Sequence, residues 1–352
     1  MCHDDLEDEK MMKKIKKLAA LTATTLMAGM LCCGCASSDK PAPTAEKSPV
    51  IIDEKPEIIE QEANEELTAK PTDTRTEAVP VKEEVPYDGV QMRIGSLKGP
   101  TSLGLLDLME KSDGEESEGQ YEFTMATGAD EITAAVVRGE LDIALVPANV
   151  ASILYGKTEG GIRVIDINTL GVLYIVSGDE SISSMEDLRG KTIYLTGKGT
   201  TPDYALRYLF AQCEIPLSEV TLEYKSEATE VAAVLAKDAM AVGLLPQPFA
   251  TAVCMQNESV DIRVDLTEEW DIVQGETGDR FVTGVTIARK EFVEEHPGAI
   301  DLFLKEHASS VEAVNADVSH AAQLAVEKDL IAKVPIGERA IPKCNLVCIT
   351  GN

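Results

Sequence analysis

Short apolar runs alternate with amphipathic segments from Val90 onward. The apolar runs are rich in β-branched residues; they read MRIGSL, ELDIALVP, GIRVIDI, LGVLYIVS, KTIYLTG, MAVGLLP and FVTGVTIA. The segments between them carry apolar side chains at helical spacing, with Gly or Pro at the joints. This alternation predicts an α/β fold with mostly parallel sheets that have helices on both faces. A body of about 260 residues is long for one such unit and predicts two lobes, each with its own sheet.

The body also repeats itself. The stretch ADEITAAVVRGELDIALVPANVA, from Ala129, aligns without a gap with ATEVAAVLAKDAMAVGLLPQPFA, from Ala228. A second pair, SLKGPTSLGLLDLM from Ser96 and LTGKGTTPDYALRYLF from Leu195, has nearly the same offset. The repeat indicates two lobes of one plan, with their strand ends facing a shared cleft. Ligands of open α/β sheets bind at those ends.

The order of the elements predicts where the chain crosses between the lobes. We expect residues 90–176 to form the first part of lobe 1 and residues 177–279 to form lobe 2. Residues 280–352 should then return to lobe 1. Two hinge strands, near Ser177 and Asp279, would join the lobes.

The amino-terminal residues form a different kind of segment. Lysines between residues 13 and 17 precede an uncharged apolar run over residues 18–31, which is too short to span a bilayer and is typical of a secretory signal. The run ends in LCCGC, which resembles the cleavage box of bacterial lipoproteins. The resemblance implies that residues 1–35 are a signal with an upstream leader and that Cys35 is lipidated, with Cys32 as the weaker alternative. Two acyl chains on Cys35 would anchor the protein stably outside the cytoplasmic membrane.

Residues 36–89 are rich in proline and acidic residues. They have too few apolar side chains for a core, which predicts a disordered tether between the anchor and the body. The whole chain has 32 Lys and Arg against 61 Asp and Glu, for a net charge of −29. This charge argues against nucleic-acid binding.

The body resembles the substrate-binding proteins of ABC importers with the type II periplasmic-binding fold. Within them it is similar to the branch that binds aliphatic sulfonates, taurine, nitrate and thiamine pyrimidines. The resemblance is carried by RIGSLKGPTSLGLLDLME, GELDIALVPANVASILY, NTLGVLYIVS, LTGKGTTPDYALRYL and LLPQPFATAV. It implies a small-molecule solute and ABC permease and ATPase partners, with no cofactor and no catalysis. We expect a monomer, and the family pattern implies a further helix beyond Asn352.

Two related loops, each between a strand and a helix, are the main candidates for ligand binding. Glycine lets the backbone approach a ligand, and the following helix start offers free N–H groups. Simple helix capping by the Thr and Ser residues is the alternative. Other candidates lie at further strand ends, where the alternative is an ordinary turn. The candidates are Lys98, Gly99, Pro100, Thr101, Ser102, Thr127, Gly128, Asn149, Lys198, Gly199, Thr200, Thr201, Gln247 and Pro248.

The sequence offers little support for catalysis. His296, His307 and His320 lie in the carboxyl-terminal helical stretch, away from the cleft loops, and His307 is expected at a helix surface or boundary. Asp166 is the one acid at a strand end that merits attention, and no metal-ligand cluster is predicted. Cys213, Cys254, Cys344 and Cys348 are expected to be free thiols.

The residues and the resemblance together predict an extracytoplasmic solute receptor that closes its lobes on a small polar or anionic organic molecule. A ligand-sensing head of a signalling system and a pyrimidine-synthase-like enzyme are the alternatives. The ligand itself stays open among a sulfonate, a nitrate-like anion and a pyrimidine.

Overall fold

The computed structural model describes residues 85–351 of the chain. The predicted signal, the lipidation site at Cys35 and nearly all of the predicted tether lie outside these residues. The described residues belong to one compact unit. Among them, no helix is long and apolar enough to cross a lipid bilayer.

The strands coincide with the apolar runs of the sequence, because a strand covered on both faces needs a nearly continuous apolar stretch. They are β1 (Gln91–Leu97), β2 (Gln120–Ala126), β3 (Ile143–Pro147), β4 (Ile162–Thr169), β5 (Leu173–Ser177), β6 (Thr192–Thr196), β7 (Thr221–Lys225), β8 (Val242–Pro246), β9 (Asp261–Asp265), β10 (Gly284–Arg289) and β11 (Leu346–Thr350).

The helices occupy the amphipathic segments between the strands. They are α1 (Pro100–Leu103), α2 (Leu106–Asp113), α3 (Ala129–Val137), α4 (Ala148–Lys157), α5 (Thr201–Gln212), α6 (Ala228–Lys237), α7 (Phe249–Gln256), α8 (Leu266–Gln274), α9 (Lys290–Glu295), α10 (Pro297–Ala316), α11 (Val318–Glu327) and α12 (Val334–Ala340). Short 3₁₀ turns cover Glu186–Leu188, Leu217–Glu219, Gly275–Thr277 and Ile341–Lys343.

Two sheets define the two lobes. The first has the order β11-β4-β10-β3-β1-β2 and the second the order β7-β6-β8-β5-β9. In the first sheet only β10 and β11 run against the other strands, and in the second only β5 does. The predicted α/β fold with two mostly parallel sheets is therefore confirmed. Strands β5 and β10 each begin where the chain arrives from the other lobe.

The two lobes share one topology, as the sequence repeat predicts. The parallel core β2-β1-β3 of the first sheet corresponds to β7-β6-β8 of the second. In each lobe an antiparallel strand then follows, β10 beside β3 and β5 beside β8. Helices α3 and α6 begin at the aligned residues Ala129 and Ala228.

Each lobe has its own apolar core. Met92, Ile94 and Phe303 are fully buried in the first lobe, and Leu206 and Phe210 are fully buried in the second. Complete burial of a side chain of this size stabilises a fold by roughly 1.5–3 kcal/mol. Separate cores allow each lobe to move as a unit.

The chain crosses between the lobes at residues 170–172 and again at residues 278–283. The first crossing is earlier than the predicted position near Ser177, because β5 pairs with β8 and β9 of the second sheet. The two crossings touch where Thr283 N–H donates to the Thr169 carbonyl at 3.1 Å.

The carboxyl-terminal segment returns to the first lobe and also contacts the second. Strand β11 pairs with β4, while α12 packs against α7. The Tyr174 hydroxyl donates to the Lys343 carbonyl at 2.7 Å, and Asn345 Nδ2 donates to the Gly171 carbonyl at 2.6 Å. This segment therefore lies against the first crossing.

Candidate ligand-binding site

Loops at the carboxyl ends of β1, β3, β6 and β8 meet between the lobes and line an open cavity of about 290 Å³, the inter-lobe cavity. Both lobes and both crossings contribute to its wall. The first lobe supplies Pro100, Thr101, Ala129, Pro147, Asn149, Val150 and Thr169, the second supplies Leu173, Thr200, Thr201, Pro202 and Pro246, and the crossings supply Val172 and Thr283. A molecule held there would contact both lobes at once.

The wall is mostly apolar, and threonines supply its hydroxyl groups. Among the lining residues, proline, valine, alanine and leucine alternate with threonine, and none is Asp, Glu, Lys or Arg. The Thr101 hydroxyl has no hydrogen-bond partner within residues 85–351. It is therefore available to a ligand.

Three helices of eight or more residues begin at this cavity. Ala129 is the first residue of α3, Asn149 the second of α4 and Thr201 the first of α5. None of their N-cap residues forms a side-chain hydrogen bond to the helix. The first-turn N–H groups of these helices are thus free of side-chain caps at this wall. The first turns of α3 and α5 also carry acidic residues, whose charge opposes the positive ends of the helix dipoles.

A hydrogen bond joins the lobes across the cavity. The Thr201 hydroxyl, in α5, donates to Asn149 Oδ1, in α4, at 2.9 Å. Both residues were predicted from the sequence as ligand-binding candidates. Their contact brings the lobes together over the cavity.

The predicted site residues fall into two groups. Pro100, Thr101, Asn149, Thr200 and Thr201 line the cavity. The remaining candidates, Lys98, Gly99, Ser102, Thr127, Gly128, Lys198, Gly199, Gln247 and Pro248, do not form its wall.

Several of the second group have structural partners. Lys98 forms an ion pair with Asp329, and Lys198 Nζ lies 5.4 Å from the centre of the Tyr224 ring. The buried Ser102 hydroxyl lies 2.6 Å from the Ser96 hydroxyl, at the start of α1. None of these contacts is a helix cap, and no side chain caps α1 or α5, so the capping alternative is wrong for both loops.

Gln247 is fully buried behind the wall. Its N–H donates to the Val172 carbonyl at 3.0 Å, and its Oε1 accepts from Thr251 N–H at 3.3 Å. Its Nε2 has no partner within the described part of the chain. Gln247 therefore supports the first crossing, while the adjacent Pro246 lines the cavity.

Asp203 fixes the loop that precedes α5. Gly197 and Gly199 both have positive φ, which glycine adopts without strain. The Asp203 carboxylate accepts from Gly199 N–H at 2.8 Å and from the Tyr224 hydroxyl at 2.7 Å. Burial raises the pKa of Asp203, but hydrogen bonds from Tyr224, Gly199 and Arg207 outweigh burial, so its pKa lies below the usual value.

The sequence did not predict the cavity-lining residues that lie in or next to the crossings. Thr169, Val172 and Thr283 line the cavity, yet they are far apart in the chain and follow no helix start. The proline that ends β3, Pro147, and its repeat partner Pro246 also line it. Their matched positions in the repeat were the available signal.

A second polar cluster lies inside the first lobe and corrects two expectations. His307 is fully buried rather than at a surface, and its Nδ1 lies 3.1 Å from Asp166 Oδ2. Cys348 completes a group of three possible metal ligands, although no such group was predicted. Burial and the charge of Asp166 raise the pKa of Cys348 to about 12, so its thiol is not an activated nucleophile. The described cysteines are free, as predicted.

Part of the chain matches a known protein family. Residues 162–321 match the family model described as NMT1/THI5 like. A binding protein of Brucella abortus (strain 2308) is 27% identical over 168 residues, which are 47% of this chain and 50% of that protein. A binding protein of Brucella suis biovar 1 matches with the same identity and coverage. The chain thus spans about half the length of the curated relatives it matches.

Solved structures share the architecture. An ABC transporter protein from Parabacteroides distasonis has a TM-score of 0.62 and 20% identity, over 75% of this chain and 87% of that one. The periplasmic aliphatic sulphonate binding protein SsuA from Escherichia coli has a TM-score of 0.61 and 13% identity, over 74% and 82%. The alkanesulfonate-binding protein SsuA from Xanthomonas axonopodis pv. citri, bound to MOPS, has a TM-score of 0.56 and 14% identity, over 74% and 87%.

These matches confirm the resemblance predicted from the sequence and the fold that it implies. The described body has the two-lobed periplasmic-binding-protein fold.

Proposed function

We propose that the protein is an extracytoplasmic solute-binding protein of an ABC importer. The observation that carries the proposal is a cavity whose wall is shared by both lobes, at the helix starts that follow their parallel strands. Such a cavity is complete only when the lobes are together, so a ligand that contacts both walls favours the closed form. A permease and its ATPase would recognise that form.

Binding would then proceed by lobe closure without a covalent step. The open form exposes the threonines and the helix starts to the outside. A solute that enters contacts Thr101 and Asn149 on one lobe and Thr200 and Thr201 on the other. Closure excludes water, which strengthens the hydrogen bonds that the ligand makes.

The solute that fits this wall best is a small organic anion of the sulfonate class. Three helix starts supply N–H donors for an anionic group. The prolines, Val150, Val172 and Leu173 would cover an apolar organic part. Lys98 and Lys198 do not take part, because their side chains have other partners.

A neutral heteroaromatic solute, such as a pyrimidine, is the second candidate. It is favoured by one observation, the lack of charged side chains among the residues that line the cavity. Threonine hydroxyls and the Asn149 amide can donate and accept hydrogen bonds to ring nitrogens.

The proposal includes an anchor and a tether. Lipidation of Cys35 would hold the protein at the outer face of the membrane, and residues 36–89 would let a monomeric body reach the permease. Mass spectrometry of the protein from membranes tests the anchor: a mature chain that begins at a diacylated Cys35 supports it, and an unmodified amino terminus contradicts it.

A thermal-shift screen followed by calorimetry tests the proposed binding. Short alkanesulfonates, nitrate and aminopyrimidines would be compared at matched ionic strength. A sulfonate should raise the melting temperature and bind with one-to-one stoichiometry. The Thr101→Ala, Thr201→Ala double variant should lose binding with little change in the melting temperature of the ligand-free protein. If none of these solutes stabilises the protein, the proposed ligand class is wrong.

A further inference from the structure

A buried group of possible metal ligands lies in the first lobe, apart from the residues that line the inter-lobe cavity. Asp166 is on β4, His307 on α10 and Cys348 on β11. A carboxylate oxygen, an imidazole nitrogen and the Cys348 sulfur lie within 4.8 Å of one another. The topology thus joins residues that are distant in sequence at one point under α10.

Within the described residues, neither Lys nor Arg contacts these groups. Asp166 is 2% exposed, and its carboxylate contacts the Thr286 hydroxyl and His307 rather than Lys or Arg. His307 Nδ1 contacts that carboxylate, while its Nε2 is buried without a partner among residues 85–351. Nδ1 is therefore the imidazole nitrogen that faces the group, whereas Nε2 lies on the other side of the ring, near Gly104.

We propose that Asp166, His307 and Cys348 form a binding site for a divalent transition metal of the zinc type. Thiolate, imidazole and carboxylate are the donors that zinc takes in proteins. One thiolate and one carboxylate balance the charge of a divalent ion, and a neutral imidazole adds none. The bound site is therefore neutral overall, as an interior position requires. The thiol proton leaves to solvent when the metal binds.

Neighbouring side chains hold Asp166 and His307 in position. Asn168 Nδ2 donates to Thr286 Oγ1 at 3.1 Å, and the Thr286 hydroxyl donates to Asp166 Oδ1 at 2.8 Å. Such outer hydrogen bonds orient metal ligands. Phe303 stacks on the His307 ring with 5.4 Å between centroids.

Cys348 lies on β11, at the edge of the sheet, where the pairing register with β4 shifts between Leu346 and Ile349. Bulges of this kind redirect side chains. Ligands of tetrahedral zinc lie about 3.3–3.8 Å apart, so a closure of about 1 Å brings the three atoms to that spacing. The half-buried edge position of Cys348 also gives the metal a way in.

Metal titration tests the site independently of solute binding. It uses the full chain with Cys2, Cys32, Cys33 and Cys35 replaced by serine, because those thiols would also bind metal. The protein is stripped with a chelator and titrated with Zn²⁺ by calorimetry, and with Co²⁺ by absorption, where a thiolate ligand gives a charge-transfer band. This parent chain should bind one equivalent that depends on Cys348. Cys348→Ser should weaken that binding by more than about 100-fold and abolish the cobalt–thiolate band. Cys254→Ser, which removes another half-buried thiol in the second lobe, should change neither.

A second variant separates loss of ligand from loss of fold. Asp166→Asn keeps an oxygen for the Thr286 hydroxyl but removes the charge, so a variant that still unfolds cooperatively should bind zinc more weakly. Equal zinc affinity in Cys348→Ser and the parent chain, or no stoichiometric binding by the folded parent chain, overturns the proposal.

Discussion

The Thr201 hydroxyl in the second lobe donates a 2.9 Å hydrogen bond to Asn149 Oδ1 in the first lobe. The two side chains come from α5 and α4, and both helices begin at the inter-lobe cavity. Separation of the lobes would break this contact. It therefore stabilises the closed form and not the open one.

Thr201→Val removes the donor while nearly keeping the side-chain shape. One hydrogen bond of this kind contributes about 1 kcal/mol, so the variant should bind solute about fivefold more weakly by calorimetry. Thr229→Val is the matched control, because Thr229 is an exposed threonine near the start of α6. An unchanged affinity in Thr201→Val would mean that the bridge does not contribute to closure.

Gly171→Ala should disturb the first crossing. An added Cβ would lie 2.1 Å from Thr267 Oγ1 and 2.7 Å from Phe281 Cδ1, so neighbours must shift. Overpacking of this kind costs about 1–3 kcal/mol of unfolding free energy, measurable by denaturant titration.

Gly156→Ala is the control for that change. Gly156 lies in α4, and nothing lies within 4 Å of the added Cβ. Alanine should therefore stabilise by about 0.5–1 kcal/mol. Equal effects of the two substitutions would contradict the packing seen at Gly171.

Asp142 should contribute to stability in a pH-dependent way. Its carboxylate is 3% exposed and accepts from Arg93 Nε at 2.8 Å and from Arg289 Nη2 at 2.9 Å. Burial raises the pKa of Asp142, but hydrogen bonds from the two arginines outweigh burial and lower it below 3.8. The contribution is thus complete above the usual pKa and is lost as the pH falls through the lowered one.

Asp142→Asn should lower the unfolding free energy at pH 7 by about 3 kcal/mol, near the low end for a buried pair because the guanidinium groups are partly exposed. Its loss of stability in acid should also be shallower than in the wild type. Glu140→Gln, at the exposed pair with Arg138, should change neither measurement. If Asp142→Asn loses stability in acid as steeply as the wild type, the contacts of Asp142 with Arg93 and Arg289 do not govern acid stability.

Cys344 should resist alkylation until the protein unfolds. It is fully buried, and burial raises the pKa of its thiol to about 12, so the reactive thiolate is scarce at neutral pH. Pulse labelling with iodoacetamide and peptide mass spectrometry should show Cys344 modified only across the unfolding transition. Rapid labelling of Cys344 in the native protein would contradict its burial in the core.

Much of the fold could be predicted because the apolar runs and the repeat can be read directly from the sequence, without knowledge of which strands pair. The first crossing could not be placed, since an apolar run such as LYIVS is the same whether it ends one sheet or begins the next. Its pairing with β8 and β9 decides the matter, and that information is not local.

The candidate site shows the same division. Thr200 and Thr201 could be found because they mark a helix start, and Asn149 could be found because it follows the end of a strand. The destinations of long side chains could not: Lys98 reaches Asp329, far along the chain. The amphipathic pattern of its helix predicts His307 at a surface or boundary, and the sequence does not show its buried partner, Asp166, because that residue lies on a distant strand.

A distance measurement between the lobes tests the proposed clamp most directly. Labels would be introduced through a non-natural amino acid at the exposed Ile153 and Ile272, which leaves the native thiols unchanged. Pulsed electron paramagnetic resonance would then record the distance distribution with and without a solute that calorimetry shows to bind. A shift of the population to a shorter distance on binding is the predicted result; an identical distribution in both conditions would contradict lobe closure.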